Sequence, residues 1–193
     1  MSRASRGKLN YLKWLDLKRL MDIFIDPNVH TIVTVKYFSA YATWLPDSYA
    51  RHQIYVQAKL WHRGHSGSVQ RKEKYCPICK ATHKGHEEKE SDVNMACHLI
   101  GDAYKNIFDQ AFIVTRDSDL SSPIRFLRDH FPKKKVKIIA PPQRGRSKEL
   151  WALANIRASI QQAHLERCLL PENITDAAGK VVCTRPPKYH PPA

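Results

Sequence analysis

The chain has 193 residues, with 32 Lys and Arg against 18 Asp and Glu, a formal net charge of +14 and a pI of about 9.7. Hydrophobic residues at 42% and charged residues at 26% describe a folded domain with a sizeable core and exclude a disordered chain. No apolar run approaches the ~20 residues of a membrane span and no secretion signal opens the sequence, so a cytoplasmic location is expected, and a charge bias this large points to a polyanionic partner, nucleic acid ahead of a membrane surface.

Residues 1–8 are small and basic and read as an unstructured lead. Over residues 11–25, Leu12, Leu15, Leu20, Met21 and Phe24 fall at helical spacing, and Asp26-Pro27-Asn28 stops that helix. Residues 31–38 (TIVTVKYF) are β-branched and aromatic and predict a mostly buried strand. Pro46-Asp47-Ser48 opens a second helix that runs to about residue 61. The stretch 62–86 is basic and glycine-containing, and it predicts a loop with one short strand near Val69. Helical periodicity returns over 91–108, with Val93, Ala96, Ile100, Tyr104 and Ile107 inward.

Residues 111–115 (AFIVT) predict a strand, 123–131 a helix, 136–140 (VKIIA) a strand, 141–147 a basic loop and 149–167 one long helix. From Pro171 onward prolines are frequent, which divides the chain into a domain over 9–171 and an extended tail over 172–193. Helices alternating with short apolar strands that lack strict period-two patterning predict an α/β fold with a central parallel sheet covered on both faces. Ligands of such folds bind beyond the carboxyl ends of the strands.

Acidic residues sit at those places. Asp117 and Asp119 follow the strand AFIVT two positions apart, Asp92 lies in the first turn of the preceding helix, and Glu88 stands four residues before it. If that helix begins by Glu88, both carboxylates share a face; if it begins later, Glu88 lies in the adjoining loop. Converging carboxylates call for a cation between them, and the hard ions Mg²⁺ and Mn²⁺ take oxygen ligands and act on phosphodiesters. The plainer reading is that Asp92 answers the helix dipole and that Asp-Ser-Asp caps the next helix.

Cys76-Pro77-Ile78-Cys79 precedes His83 and His86, a C-x2-C-x3-H-x2-H arrangement whose cysteine spacing suits tetrahedral Zn²⁺. Cys97 and His98 are alternative ligands, and Cys168 and Cys183 read as ordinary thiols. A structural zinc would pin the basic loop; the alternatives are a reduced thiol pair with solvated histidines, or a redox pair. Five cysteines with one close pair do not form a disulfide framework.

Arg125, Arg128, Lys133, Lys134, Lys135, Lys137, Arg144, Arg146 and Lys148 crowd into a short stretch, and Arg71, Lys72 and Lys74 form a second basic set. Arg116 stands beside the Asp-Ser-Asp turn, where it would touch a phosphate or offset the acids. Trp61 and Tyr75 are candidates to stack on unpaired bases, or else core residues.

The run 87–96 (EEKESDVNMA) resembles the second acidic motif of NYN domains, of the PIN-like ribonuclease superfamily. Residues 113–120 (IVTRDSDL) with Pro123-Ile124 resemble that family's strand followed by Asp-Ser-Asp and Pro, and Arg146–Leu150 and His164–Pro171 its last helix and exit. The resemblance implies a three-layer, Rossmann-like fold and a metal-dependent ribonuclease acting on RNA; single-stranded RNA is the expected partner. Asp92, Asp117 and Asp119 would be its Mg²⁺ or Mn²⁺ ligands, Glu88 an outer acid, Asn94 a neighbour of the site and Ser118 an orienting hydroxyl. No residue matches the Asp of the strand with which the family usually begins. Loss of that central strand would leave two neighbours without a partner. A start further upstream, a truncated non-catalytic RNA-binding relative, or a segment of a second chain in a homodimer would each account for it. A zinc-stabilised adaptor for a protein partner is a third class of function.

Overall fold

The computed structural model describes residues 9–58, 80, 90–142 and 145–192 in full, and the backbone alone of 62–75 and 82–89. The expectations for residues 1–8, Trp61, Cys76, Cys79 and Arg144 fall outside the described residues.

Three parallel strands, β4 (Gln110–Val114), β5 (Lys135–Ala140) and β6 (Ile156–Ser159), form one sheet in the order β4-β5-β6. Their apolar runs are continuous because both faces are covered. On β5, Val136 and Ile138 face one side, packing with Ala103, Ile113, Leu120, Ile124, Leu127 and Leu150 from the direction of α3 (Ser91–Tyr104), α4 (Ser121–His130) and α5 (Lys148–Leu153). Ile139, one residue out of phase, faces the other side and meets Leu15, Leu20, Met21, Ile160 and Cys168, next to α1 (Leu17–Asp22) and α6 (Gln162–Arg167).

The second sheet has the order β1-β2-β3: β1 (Val35–Ala40) runs parallel to β2 (His62–Tyr75), which pairs antiparallel with β3 (Thr82–Lys89). Helix α2 (Pro46–Ala58) supplies Tyr55 and Ala58 to a third cluster with Trp14, Leu170, Ile174 and Tyr37 of β1. Trp14 is fully buried and donates its indole N–H to Pro171 O at 2.7 Å, and Tyr55 donates its hydroxyl to Leu15 O at 2.8 Å.

Helix α3 belongs to both sheets. Lys36 of β1 pairs with Asp102 and lies 3.4 Å from His98 Nδ1, and the Phe38 ring lies 5.6 Å from the His98 ring. Met95, Ala96 and Leu99 of the same helix pack into the core of the β4–β6 sheet. Along β1 the contacts step from Asp102 to His98, so β1 runs antiparallel to α3. The carboxyl end of β4 meets the first turns of α3, so β4 does too. The two strands therefore run the same way along one helix. Among the described residues β1 pairs only with β2 and β4 only with β5, so each keeps one edge without a strand partner.

Several elements differ from the sequence expectation. Residues 62–86 were expected as a loop, but the backbone pairs from Ser68↔Lys89 to Tyr75↔Thr82 in a hairpin. Its ladder is made by main-chain groups, so its polar residues gave no apolar alternation to read. The expected helix 149–167 is broken into α5, β6 and α6. Asn155 is the cause: its backbone N–H donates to Val136 O and its side-chain oxygen accepts from Val136 N, both at 2.9 Å, which starts β6 along the edge of β5. The helix expected over 11–25 is a 3-10 turn over Asn10–Lys13 followed by the shorter α1, where Asp16 accepts from Arg19 N at 3.0 Å as its cap.

The tail also folds. β7 (Asn173–Thr175) and β8 (Val181–Thr184) form a hairpin whose turn is closed by Asp176, which accepts from Ala178 N and Lys180 N, and by Gly179 at φ +80. Ile174, Cys183 and Tyr189 carry the tail into the Trp14 cluster. No described helix is long and apolar enough to cross a membrane.

The pair between Lys36 and Asp102 is only 15% exposed on each side chain, so neutralising one partner leaves a poorly solvated charge. Asp102→Asn is expected to lower the unfolding free energy by about 1.5–3 kcal/mol in urea titrations. An unchanged midpoint would show that apolar packing alone holds α3 to β1.

Candidate active site

The chain leaves β4 at Val114 and turns sharply. Asp117 donates its backbone N–H to Thr115 Oγ1 at 3.0 Å, and its carboxylate accepts from Asp119 N at 3.1 Å, capping the 3-10 turn Ser118–Leu120. Leu120 is 2% exposed and plugs this turn into the core, while Asp117 and Asp119 stay exposed. The capping reading of Asp-Ser-Asp is therefore correct in part: one oxygen of Asp117 caps, and the Asp119 carboxylate makes no hydrogen bond among the described residues.

The facing wall is the start of α3. Glu90, at φ 74, takes the chain from β3 into the helix, and Asn94 N donates to Glu90 O at 2.7 Å as the first helical bond. Asp92 follows in the first turn, where the helix dipole favours a carboxylate. Between the two walls lies a cleft of about 600 Å³. It is lined by Glu90, Asp92, Val93 and Met95 of the helix start, by Thr115, Arg116, Asp117 and Asp119 beyond β4, and by Phe38 near the end of β1.

Three of the acids singled out from sequence thus share one cleft at the carboxyl edge of the sheet: Asp92, Asp117 and Asp119. Glu88 does not share a helix face with Asp92, and it is not in a loop. It sits on β3 opposite Val69, before the helix begins. Asn94 is on the same helix turn but does not line the cleft, and Ser118 lines the neighbouring one. Of the lining residues that the sequence reading did not single out, Glu90 adds a charge and Phe38 an aromatic ring. Glu90 was legible as the last acid of the Glu-Glu-Lys-Glu run before the helix, and Phe38 as the aromatic near the end of a strand.

Among the described residues, no three His, Cys, Asp or Glu side chains lie close enough to hold one metal ion. The acidic cleft is open rather than a closed chelate. Its carboxylate donors fit a hard cation that keeps several waters and takes one or two direct carboxylates, as Mg²⁺ and Mn²⁺ do. The zinc expectation has no described geometry: Cys76 and Cys79 are outside the described residues, and only the backbone of His83 and His86 is described, on β3 opposite Lys74 and Arg71. Of the alternative ligands, Cys97 is exposed and His98 is engaged with Phe38 and Lys36. Cys168 is buried and Cys183 half-buried, and burial pushes both thiols up.

The basic stretch does not act as one surface. Lys134 is buried, donating to Asn106 Oδ1 at 2.7 Å and Phe108 O at 2.6 Å, and Lys137 donates to Phe24 O, with burial lowering its pKa. Arg125 pairs with Glu149. Arg71, Lys72 and Lys74 are described only as backbone of β2. Arg116 and Arg146 remain. They line a second cleft of about 430 Å³ with Asp117, Ser118, Gly145 and Ser147, and neither makes an ion pair among the described residues.

A solved structure from Vibrio parahaemolyticus, the protein of unknown function VPA0982, superimposes with a TM-score of 0.53 at 18% identity, covering 81% of this chain and 82% of that chain. At that identity the likeness is one of fold. None of the curated proteins matches the chain. The family model for the NYN domain matches residues 11–159, which takes in both walls of the acidic cleft, and the chain belongs to the NYN domain family.

Proposed function

We propose that the protein is a metal-dependent ribonuclease that hydrolyses phosphodiester bonds of single-stranded RNA in the cytoplasm. The observation that carries this reading is the meeting of Asp92 with Asp117 and Asp119 in one open cleft at the carboxyl edge of a parallel sheet. Membership in a family grouped with the PIN-like nucleases supports it.

In this reading Asp92, Asp117 and Asp119 would hold Mg²⁺ or Mn²⁺, one or two of them directly and the remainder through the ion's waters, and Glu90 would add negative potential at the rim. A bound ion supplies Lewis-acid stabilisation of phosphodiester charge and a water of lowered pKa. The chain itself does the positioning. The Asp119 N–H fixes the Asp117 carboxylate, Leu120 anchors the turn, and Arg116 offers a guanidinium to the phosphate beside the acids. Phe38 presents an aromatic wall near the cleft.

A second reading, an RNA-binding module without catalysis, has its own observation in the two arginines, Arg116 and Arg146, that line the neighbouring cleft. Cleavage separates the two readings. Asp117→Asn keeps an oxygen to accept from Asp119 N, so the turn survives while the charge is lost. Purified chain is expected to cut labelled single-stranded RNA with Mn²⁺ or Mg²⁺ and to stop with EDTA. Asp117→Asn and Asp119→Asn are each expected to lose at least about a hundredfold in rate with an unchanged melting curve. Cutting in EDTA, or by Asp117→Asn at the wild-type rate, would overturn the nuclease reading. No cutting with RNA still bound would establish the binding module.

A further inference from the structure

We infer that the cleft between the Asp-Ser-Asp turn and the start of α5 is a phosphate subsite. It would take a second phosphodiester of the same strand, next to the one at the acidic cleft, with Arg146 setting the minimum substrate length. This rests on the reading of the acidic cleft as a nucleic-acid site.

The two clefts have a wall in common, since Arg116 and Asp117 line both. A strand lying in one continues into the other around that wall. Their chemistry differs. The first is rimmed by carboxylates, whereas the second is lined by two guanidinium groups and two hydroxyls with Asp117 as its single acid. Its volume, about 430 Å³, is that of a ligand-sized pocket.

Arg146 is held in place. Its guanidinium carbon lies 5.2 Å from the centre of the Trp151 ring, and Trp151 packs against the core cluster beneath. A guanidinium held over an aromatic ring still has N–H groups to donate to phosphate oxygens. Ser147 Oγ accepts from Leu150 N at 3.3 Å as the cap of α5, which leaves its hydroxyl proton to donate. Nearby Arg125 is already taken by Glu149, while Arg116 and Arg146 carry no such partner among the described residues.

The first test is binding of a fluorescein-labelled oligouridylate in EDTA, read by anisotropy over a series of salt concentrations. Compared are wild type, Arg146→Ala, Arg146→Lys and Lys180→Ala, the last removing one exposed charge at the β7–β8 turn. Arg146→Ala is expected to weaken binding by about three- to tenfold and to lower the salt slope by about one, with Arg146→Lys between. Lys180→Ala should match wild type. The second test, with Mn²⁺, compares a dinucleotide with a trinucleotide that adds one phosphate. The longer substrate should show the higher kcat/KM in wild type and lose that advantage in Arg146→Ala.

If Arg146→Ala binds with the affinity and salt slope of Lys180→Ala, the subsite does not exist. If wild type fails to cut but Arg146→Ala still weakens binding in EDTA, the nuclease reading fails and the phosphate subsite stands.

Discussion

The ion pair between Lys36 on β1 and Asp102 on α3, with the apolar side of the same helix pressed into the β4–β6 core, ties two separate sheets to one rod. Everything at the acidic cleft depends on that attachment. Asp92 lies ten residues before Asp102, about 15 Å along the helix axis, so the position of the pair fixes where the first turn ends up. Because β1 and β4 both run against α3, their carboxyl ends arrive at the same helix terminus. The result is a strand end carrying Asp117 and Asp119, a helix start carrying Asp92, and an aromatic from the other sheet, Phe38, around one hollow.

Charge is distributed with similar economy. The sequence is strongly basic, yet two of the lysines in its densest run are structural: Lys134 closes the loop after α3, and Lys137 caps the carbonyl of Phe24. Arg125 braces α4 against α5 through Glu149. What remains near the acids is a pair of arginines, one flanking the Asp-Ser-Asp turn and one held over the Trp151 ring. Acid and base therefore stand side by side: carboxylates suited to a cation, and guanidinium groups suited to the phosphates that cation would act on.

The parts of this arrangement that were legible in the sequence are those where local pattern and tertiary demand agree. Helix α3 showed its span and its acidic first turn, although Val93, Tyr104 and Ile107, read as inward from the period, are exposed; β4 and β5 showed apolar runs of strand length; and the rule that ligands bind beyond strand ends pointed to the edge where Asp92, Asp117 and Asp119 share a cleft. The parts that were not legible are set by distant partners. The hairpin β2–β3 is polar and shows itself only in its backbone ladder. Residues 149–167 carry a helical pattern that Asn155 breaks by bonding to Val136, nineteen positions away. Residues 172–193 look extended because of their prolines, yet Ile174, Cys183 and Tyr189 have a cluster to fill around Trp14. The element of Glu88 depends on where the helix starts, and with α3 beginning at Ser91 it falls on β3.

Binding of Mn²⁺ to the chain alone, followed by the loss of its free-ion EPR signal, bears most directly on the claim that α3 and β4 together build a divalent-cation site. The account predicts one saturable site in wild type that is lost in both Asp92→Asn and Asp117→Asn, residues contributed by different walls of the cleft. A wild-type chain that takes up no Mn²⁺, or a site that survives both substitutions, would contradict it.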